Sequence, residues 1–126
     1  MANQEDVRRI AMALPGVEEA LDGFAFTVLN KGKAKGFAYA WNERVHPKKP
    51  KVANPEVLIV VVRNLTEKEI LMSSDPNKYF SEPHYDGYAA IHIHLDSIEL
   101  DELEDHIIEA WKCKAPPESV AQFFAS

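Results

Sequence analysis

Hydrophobic positions along the chain recur with two different periods, and together they predict a mixed α+β fold. Helical spacing occurs in "NQEDVRRIAMALPG" near the start and in "LDELEDHIIEAWKCK" near the end, so both segments are predicted helices. Alternation with a period of two occurs in "FAFTVLN", "KGFAYAWNE" and "YAAIHIHLD", which predicts strands. The run "VLIVVV" does not alternate, and this is typical of a strand covered on both faces.

Shorter signals complete the order of elements. "LTEKEILMSSDP" predicts a middle helix, with Thr66 and Glu69 as a capping box. "KYFSEP" is a candidate short strand, "HPKKPKVANP" a long connection, and "APPESVAQFFAS" a tail with one more helical turn. The predicted order α-β-β-β-α-(β)-β-α describes a two-layer α+β domain with an antiparallel sheet, and the length predicts one domain over residues 1–126. The second face of the "VLIVVV" strand then needs a cover, for which a dimer or the loop 44–56 are candidates.

Composition places the chain among globular proteins of a reducing compartment. The single cysteine forbids an internal disulfide, the N-terminus lacks the apolar core of a signal peptide, and "VLIVVV" is too short to span a bilayer. We therefore expect a cytoplasmic protein without a membrane partner.

Cations and acids are separated along the chain, although the net charge of −6 by itself argues against nucleic acid. Residues 31–51 hold seven of the fourteen Lys and Arg residues against one acid, whereas residues 96–109 hold seven acids and no Lys or Arg. Basic loops that flank aromatic strands, here with Phe37, Tyr39 and Trp41 on one face, are typical of nucleic-acid binding. The candidate phosphate contacts are Lys31, Lys33, Lys35, Arg44, Lys48, Lys49 and Lys51.

Three of the five histidines lie in "PHYDGYAAIHIHLD", where His92 and His94 share one strand face and His84 precedes them. Zinc needs three or four ligands, and no Cys pair, HExxH motif or acid cluster accompanies them, so we expect an exposed polar face and no metal. Cys113 is a lone thiol late in a helix, and no nucleophile elbow or phosphate-binding loop occurs. We therefore expect no catalytic residue, no cofactor and no enzymatic activity.

Several stretches resemble the MmcQ/YjbR family, over nearly the whole chain and in the same order: "ALPGVEEA", "ERVHPKKPKVANPEVLIVVV" and "DPNKYFSEPHYDGYAAIHIHLDSIELDELEDHIIEAWKCKAP". The most specific parts are "EAWKCKAP" and the turn "PHYDGY", whose family-motif residues are His84, Tyr85, Asp86, Gly87 and Tyr88. The resemblance implies an α-β(3)-α-β(2)-α domain that binds DNA through a proposed double wing. Lys31, Lys33 and Lys35 would form one wing tip, and Lys48, Lys49 and Lys51 the second. It implies no catalytic or metal motif.

Three functional hypotheses remain open at this point. The first is a non-enzymatic binding protein for DNA, held weakly and without sequence preference by the lysines. The second is a chaperone-like or other protein-interaction module, acting through an apolar patch or as a dimer. The third is a small-ligand site near His84, Tyr85, Tyr88, His92 and His94. A single basic face would favour the first, an exposed apolar patch the second, and a pocket lined by His and Tyr the third.

Overall fold

The computed structural model describes residues 2–43 and 47–125. Within these residues six strands and four helices follow one another in an order that agrees with the prediction apart from a short extra first strand and a longer final helix. They are α1 Gln4–Met12, β1 Val17–Glu19, β2 Ala25–Asn30, β3 Lys33–Glu43, β4 Val52–Val61, α2 Leu65–Ser74, β5 Tyr79–Phe80, β6 Ala90–His94, α3 Leu100–Lys114 and α4 Pro117–Ala125. No helix among the described residues is long and apolar enough to cross a membrane.

All six strands form one antiparallel sheet in the order β1-β2-β3-β4-β6-β5, which confirms the predicted α+β fold class. Strands β2 and β3 are joined by a two-residue turn, Lys31-Gly32, in which both residues have positive φ (54° and 78°). This is the geometry of a type I′ turn, whose twist matches that of the flanking strands. The hairpin therefore ends abruptly, and β3 begins directly at Lys33.

The hydrophobic core lies between one face of the sheet and the helices α1 and α3. The predicted stripe of α3 is fully buried there, and Trp111 also donates its indole N–H to the carbonyl of Pro15 at 3.0 Å. From the sheet, alternate residues such as Leu58 and Val60 of β4 point into this core. Helix α1 starts with the predicted cap, because the Asn3 side chain accepts from the backbone N–H of Asp6 at 3.0 Å.

The other face of the sheet is called here the second face. It is also largely covered at its centre, because Val57 and Ile59 are buried along with Leu58 and Val60. This confirms that the "VLIVVV" strand is covered on both sides over these four residues. Aromatic rings of the same chain lie on the second face around His92, the strand partner of Ile59, while a contribution from a dimer or from the loop 44–56, part of which lies outside the described residues, stays a prediction.

Two local predictions are wrong for identifiable reasons. Helix α2 is capped by Asn64, whose side chain accepts from the N–H of Glu67 at 2.8 Å, so the helix starts at Leu65, one residue before Thr66. Phe37 does not share a face with Tyr39 and Trp41, because a bulge pairs Phe26 with Ala38 and Thr27 with Gly36. The extra residue, Phe37, packs into the core with Ala38.

Strand β4 also begins earlier than expected. The segment "VANP", assigned above to a long connection, already belongs to the sheet, and Val52 pairs with Glu43. Pro55 is accommodated where the register between β3 and β4 shifts after Ala40. As a result β3 and β4 pair beyond the rest of the sheet. This extension carries Trp41, which forms one wall of the groove on the second face.

Candidate ligand groove on the second face

The site is built on a row of side chains that crosses four strands of the second face. Antiparallel pairing places Tyr39 of β3 opposite Ile59 of β4, Ile59 opposite His92 of β6, and His92 opposite Phe80 of β5. Directly opposed residues share a face, so the four side chains stand next to one another. The alternation of "YAAIHIHLD" therefore did identify which residues share this face, although it did not reveal what packs on them.

His92 is enclosed by aromatic rings and is not on an exposed polar face, so that expectation is wrong for this residue. Its ring centroid lies 4.7 Å from that of Phe80, 4.9 Å from that of Tyr85 and 5.2 Å from that of Trp41. The side chain has no solvent exposure, and neither ring nitrogen has a hydrogen-bond partner among the described residues. Burial lowers the pKa of His92 to about 4, so the imidazole is neutral at pH 7.

Trp41 closes the groove on one side and packs on the rings of Phe80 and His92, which are called here the floor. Its ring meets Phe80 at a centroid distance of 5.4 Å and an angle of 69°, and meets His92 at 89°. His94 remains half-buried and stacks on the other ring of the floor, Phe80, at 4.6 Å and 27°. These edge-to-face and stacked contacts are the favoured arrangements of aromatic pairs, so Trp41 and the rings beneath it stabilise one another.

The opposite wall is the turn "PHYDGY", a 3₁₀ turn over Pro83–Tyr85 followed by a bend to Tyr88. A buried ammonium holds it in place: Lys68 of α2 is 4% exposed and donates to the carbonyls of Tyr85 and of Tyr88, the latter at 2.9 Å. Burial lowers the pKa of Lys68, whereas the charge of Asp86 acts in the opposite direction. Lys68 therefore fixes both tyrosines of the turn relative to the sheet.

Polar groups at the entrance of the turn satisfy one another. The carboxylate of Glu82 accepts from the backbone N–H of His84 at 3.2 Å and lies 2.8 Å from its Nδ1. The hydrogen bond from His84 holds the pKa of Glu82 below its ordinary value, with burial acting the other way. Asp86 accepts from Ser81 at 3.3 Å. Gly87 has an ordinary backbone conformation and open space around it.

Between these walls lies a cavity of about 940 Å³, which is within the usual size of small-molecule sites. Four aromatic side chains line it, namely Tyr39, Trp41, Tyr85 and Tyr88. Its polar lining includes Glu43, Lys51, Arg63, Glu82, His84 and Lys114. Burial is the main reason that the pKa of Tyr39 is raised, and the nearby Tyr85 adds to the effect, so both phenols face the same space.

The structure does not bring the seven candidate phosphate contacts together. Lys31, Lys33 and Lys35 are exposed at the β2–β3 turn, whereas Lys48, Lys49 and Lys51 are exposed beyond the far end of β3. Strand β3 has eleven residues, so the two sets are separated by roughly 30 Å. Lys51 alone of these lines the groove. Arg44 lies outside the described residues.

The remaining site predictions can be placed as follows. His84, Tyr85 and Tyr88 line the groove, and His92 is part of its floor. Within residues 2–43 and 47–125, no group of three or more His, Cys, Asp and Glu side chains is arranged to hold a metal ion. Sequence reasoning missed Lys68. The sequence does contain a signal for it: Lys68 lies three residues after Leu65 and three before Leu71, a position on a helix where a hydrophobic residue is expected.

Comparisons with known proteins bear on the fold more than on the site. No family model matches the chain. Over 59 residues it is 42% identical to the uncharacterised proteins Rv2570 of Mycobacterium tuberculosis (strain H37Rv) and Mb2600 of Mycobacterium bovis. The match covers 47% of this chain and 46% of theirs, so the chain spans about half the length of the curated relatives it matches.

A solved structure resembles the chain over most of its length. It is the crystal structure of Deinococcus radiodurans protein DR2400, a DUF419 domain, with a TM-score of 0.66 and 17% identity, covering 88% of this chain and 77% of that one. At this level of identity the likeness shows the fold alone, and it agrees with the α+β architecture described above.

Proposed function

We propose that the protein is a non-enzymatic binding protein whose ligand is a small molecule held in the groove of the second face. The observation that carries this proposal is the cavity of about 940 Å³ with aromatic side chains on both walls. Small-molecule sites are typically concave, mostly apolar and equipped with a few polar groups that orient the ligand. Of the three hypotheses from the sequence, the small-ligand site therefore takes first place.

The groove is suited to binding because contacts within the chain hold both of its walls. Trp41 is held against Phe80 and His92 on one side, and the turn that carries Tyr85 is held by Lys68 on the other. A preformed site loses little conformational entropy when the ligand enters, which strengthens binding. The open side of the groove is marked by Tyr88, which is 65% exposed although it is a large aromatic residue.

The titratable groups of the groove support binding more than catalysis. His84 is exposed and already paired with Glu82, while His92 is buried in the floor with a pKa of about 4. Burial raises the pKa of the Cys113 thiol, and Glu109 adds to this, so the reactive thiolate is disfavoured. A general base poised near neutral pH and aimed into the cavity is the feature that would favour an enzyme.

A screen of small molecules by thermal shift tests the proposal. We expect compounds that raise the melting temperature of the wild-type protein but not of Trp41→Ala, which removes one wall of the groove. Phe124→Ala is the matched control, because Phe124 is also an exposed aromatic (57%) but does not line the groove. Compounds that stabilise wild type and both variants equally would show that the groove is not the binding site.

DNA binding is the second candidate, and one specific observation favours it. The β2–β3 turn lies beside the C-terminal end of α3, since Asn30 donates to the carbonyl of Lys114 at 2.9 Å. Five lysines thus gather at one end of the molecule, and the acids in the first turn of α3 lie roughly 20 Å away along the helix. These lysines are Lys31, Lys33, Lys35, Lys112 and Lys114.

A gel shift at low salt tests this candidate. Charge reversal of the three turn lysines, Lys31, Lys33 and Lys35, to Glu should abolish a shift made by this end of the molecule. Reversal of Lys48, Lys49 and Lys51 is the matched control, because it changes the charge equally at the opposite end. The affinity should be weak, about 10⁻⁴–10⁻⁶ M, and should fall with salt. Wild-type protein that gives no shift at low salt would exclude the candidate.

We also infer that the chain is a member of the MmcQ/YjbR-like family, to which the DUF419 domain of the structural neighbour corresponds. The fold and the turn "PHYDGY" support this inference, and a cytoplasmic location remains part of the proposal. A protein partner, or a second copy of this chain, has less support. The large exposed hydrophobic side chains are spread over the fold: Leu21 lies in the connection between β1 and β2, Leu29 in β2 and Ile70 in α2.

A further inference from the structure

We infer that the ligand of the groove is a planar aromatic molecule with an attached anionic group, its ring lying against Trp41 and its anion at Lys51. This inference rests on the proposed function and specifies the class of ligand. Two independent observations carry it. Among the described residues, the aromatic side chains of the walls are not stacked on other rings, and the lining contains lysine side chains without an ion pair.

The walls offer aromatic surfaces that no ring of the described chain already occupies by stacking. Trp41 contacts Phe80 and His92 only at steep angles, 69° and 89°, so its indole has no parallel partner. Tyr88 contacts only Tyr85, tilted at 59° with centroids 6.1 Å apart, and is largely exposed. Since aromatic side chains bind planar rings through their π-faces, a flat ligand is the complement of this site.

The charged lining favours an anion, because each of its acids already accepts a hydrogen bond and two of its three lysine and arginine side chains have no partner within the described part of the chain. Glu43 accepts from the side chain of Asn54 at 3.1 Å, and Glu82 is occupied by His84. Arg63 pairs with Glu67 at 3.4 Å. Lys51 and Lys114, by contrast, have no side-chain hydrogen bond or ion pair with the part of the chain that the structure describes, although both line the groove.

Position along the strands places this cation near the ring-binding wall. Trp41 and Glu43 are the last outward positions of β3, and Lys51 immediately precedes Val52, the strand partner of Glu43. Lys51 therefore belongs to the end of the groove that Trp41 forms. Lys114, which also lines the cavity, belongs to the end near the β2–β3 turn. A ring against Trp41 thus has its anion within reach of Lys51 and not of Lys114.

Isothermal titration calorimetry at low ionic strength separates the contributions of the ring and the anion. The probes are AMP and 2-naphthoate, which have both groups, adenosine, which has the ring alone, and ribose 5-phosphate, which has the anion alone. We expect AMP or 2-naphthoate to bind at least fivefold more tightly than adenosine, and ribose 5-phosphate to give no measurable heat. Comparison of AMP with adenosine isolates the contribution of a phosphate, and comparison of 2-naphthoate with its neutral amide isolates that of a carboxylate.

Three lysine variants locate the anion. Lys51→Met should remove the advantage of the charged probe over adenosine. Lys33→Met, which removes an exposed lysine outside the groove, should leave that advantage intact, whereas Lys114→Met tests whether the other lysine of the lining holds the anion instead. Equal binding of AMP, 2-naphthoate and adenosine, loss of the advantage in Lys114→Met instead of Lys51→Met, or no binding of any ring-bearing anion at millimolar concentration would each overturn the inference.

The outcome also distinguishes this inference from the proposed function. If adenosine and the anionic probes bind equally and all lose affinity in Trp41→Ala, the groove is the binding site and only the assignment of the charge fails. If Trp41→Ala leaves the affinity of every bound probe unchanged, the groove itself is not the site and both proposals fail.

Discussion

Acidification should destabilise the protein through His92, and the size of the effect follows from the structure. The imidazole is buried among Trp41, Phe80 and Tyr85 with neither nitrogen hydrogen-bonded, and its pKa is about 4 against 6.5 for an ordinary histidine. Burial is the main cause; the charges of Lys68 and His94 add to it, and Glu82 opposes it. In the unfolded chain the ring regains its ordinary proton affinity.

The sign of the effect is that stability is lost as the pH falls. Between the two pKa values the unfolded state binds a proton that the folded state does not, so acid favours unfolding. A tenfold difference in proton affinity corresponds to about 1.4 kcal/mol, so acidification from about pH 7.5 to about pH 4.5 removes about 2.5 kcal/mol through this residue alone. That is a large fraction of the roughly 5–15 kcal/mol that stabilises a typical domain.

Urea denaturation over this pH range measures the effect in wild type and in His92→Phe, which keeps a ring in the cluster but cannot titrate. The difference in unfolding free energy between the two proteins should shift by about 2.5 kcal/mol toward the variant as the pH falls. His94→Gln, which leaves His92 in place and removes only the smallest of the causes that lower its pKa, should retain most of the wild-type dependence. If wild type and His92→Phe lose stability in parallel, the account of a neutral, buried His92 is refuted.

Three further predictions concern stability and can be checked by urea or thermal denaturation. Asn64→Ala should cost about 1 kcal/mol because it removes the cap of α2, whereas Thr66→Ala, outside the cap, should cost less than about half of that. Gly32→Ala should cost roughly 1 kcal/mol because φ there is positive, whereas Gly87→Ala should be nearly neutral, since an added Cβ meets no atom within 4 Å. Lys68→Met should cost about 2 kcal/mol, because the turn loses two hydrogen bonds from an ammonium, offset in part by the burial penalty that the charge no longer incurs. Equal costs at both members of the first two pairs, or a Lys68→Met variant as stable as wild type, would contradict these assignments.

Elements with a long, regular hydrophobic period could be predicted from the sequence. Helix α3 spans the predicted residues and buries the predicted stripe, because an amphipathic helix of this length has only one way to hide its apolar side. The same holds for β6, where Ile91 and Ile93 face the core. Local competition was harder to judge: Asn64 and Thr66 both suit a helix cap, and only the position of α2 against the sheet decides between them.

Tertiary structure alone decided the character of the site. The sequence shows that His92 and His94 share a face, but Trp41, Phe80 and Tyr85 reach that face from three separate segments, so its dry interior at His92 is invisible to any local pattern. The lysines of residues 31–51 are close in sequence, yet an extended strand of eleven residues holds them at opposite ends of the sheet. Sequence thus determined which side chains are available and, apart from Phe37 at the bulge, which face of the sheet the alternating residues occupy. Strand order and the packing of the turn determined which of them meet, because such contacts depend on pairings between residues far apart in the chain.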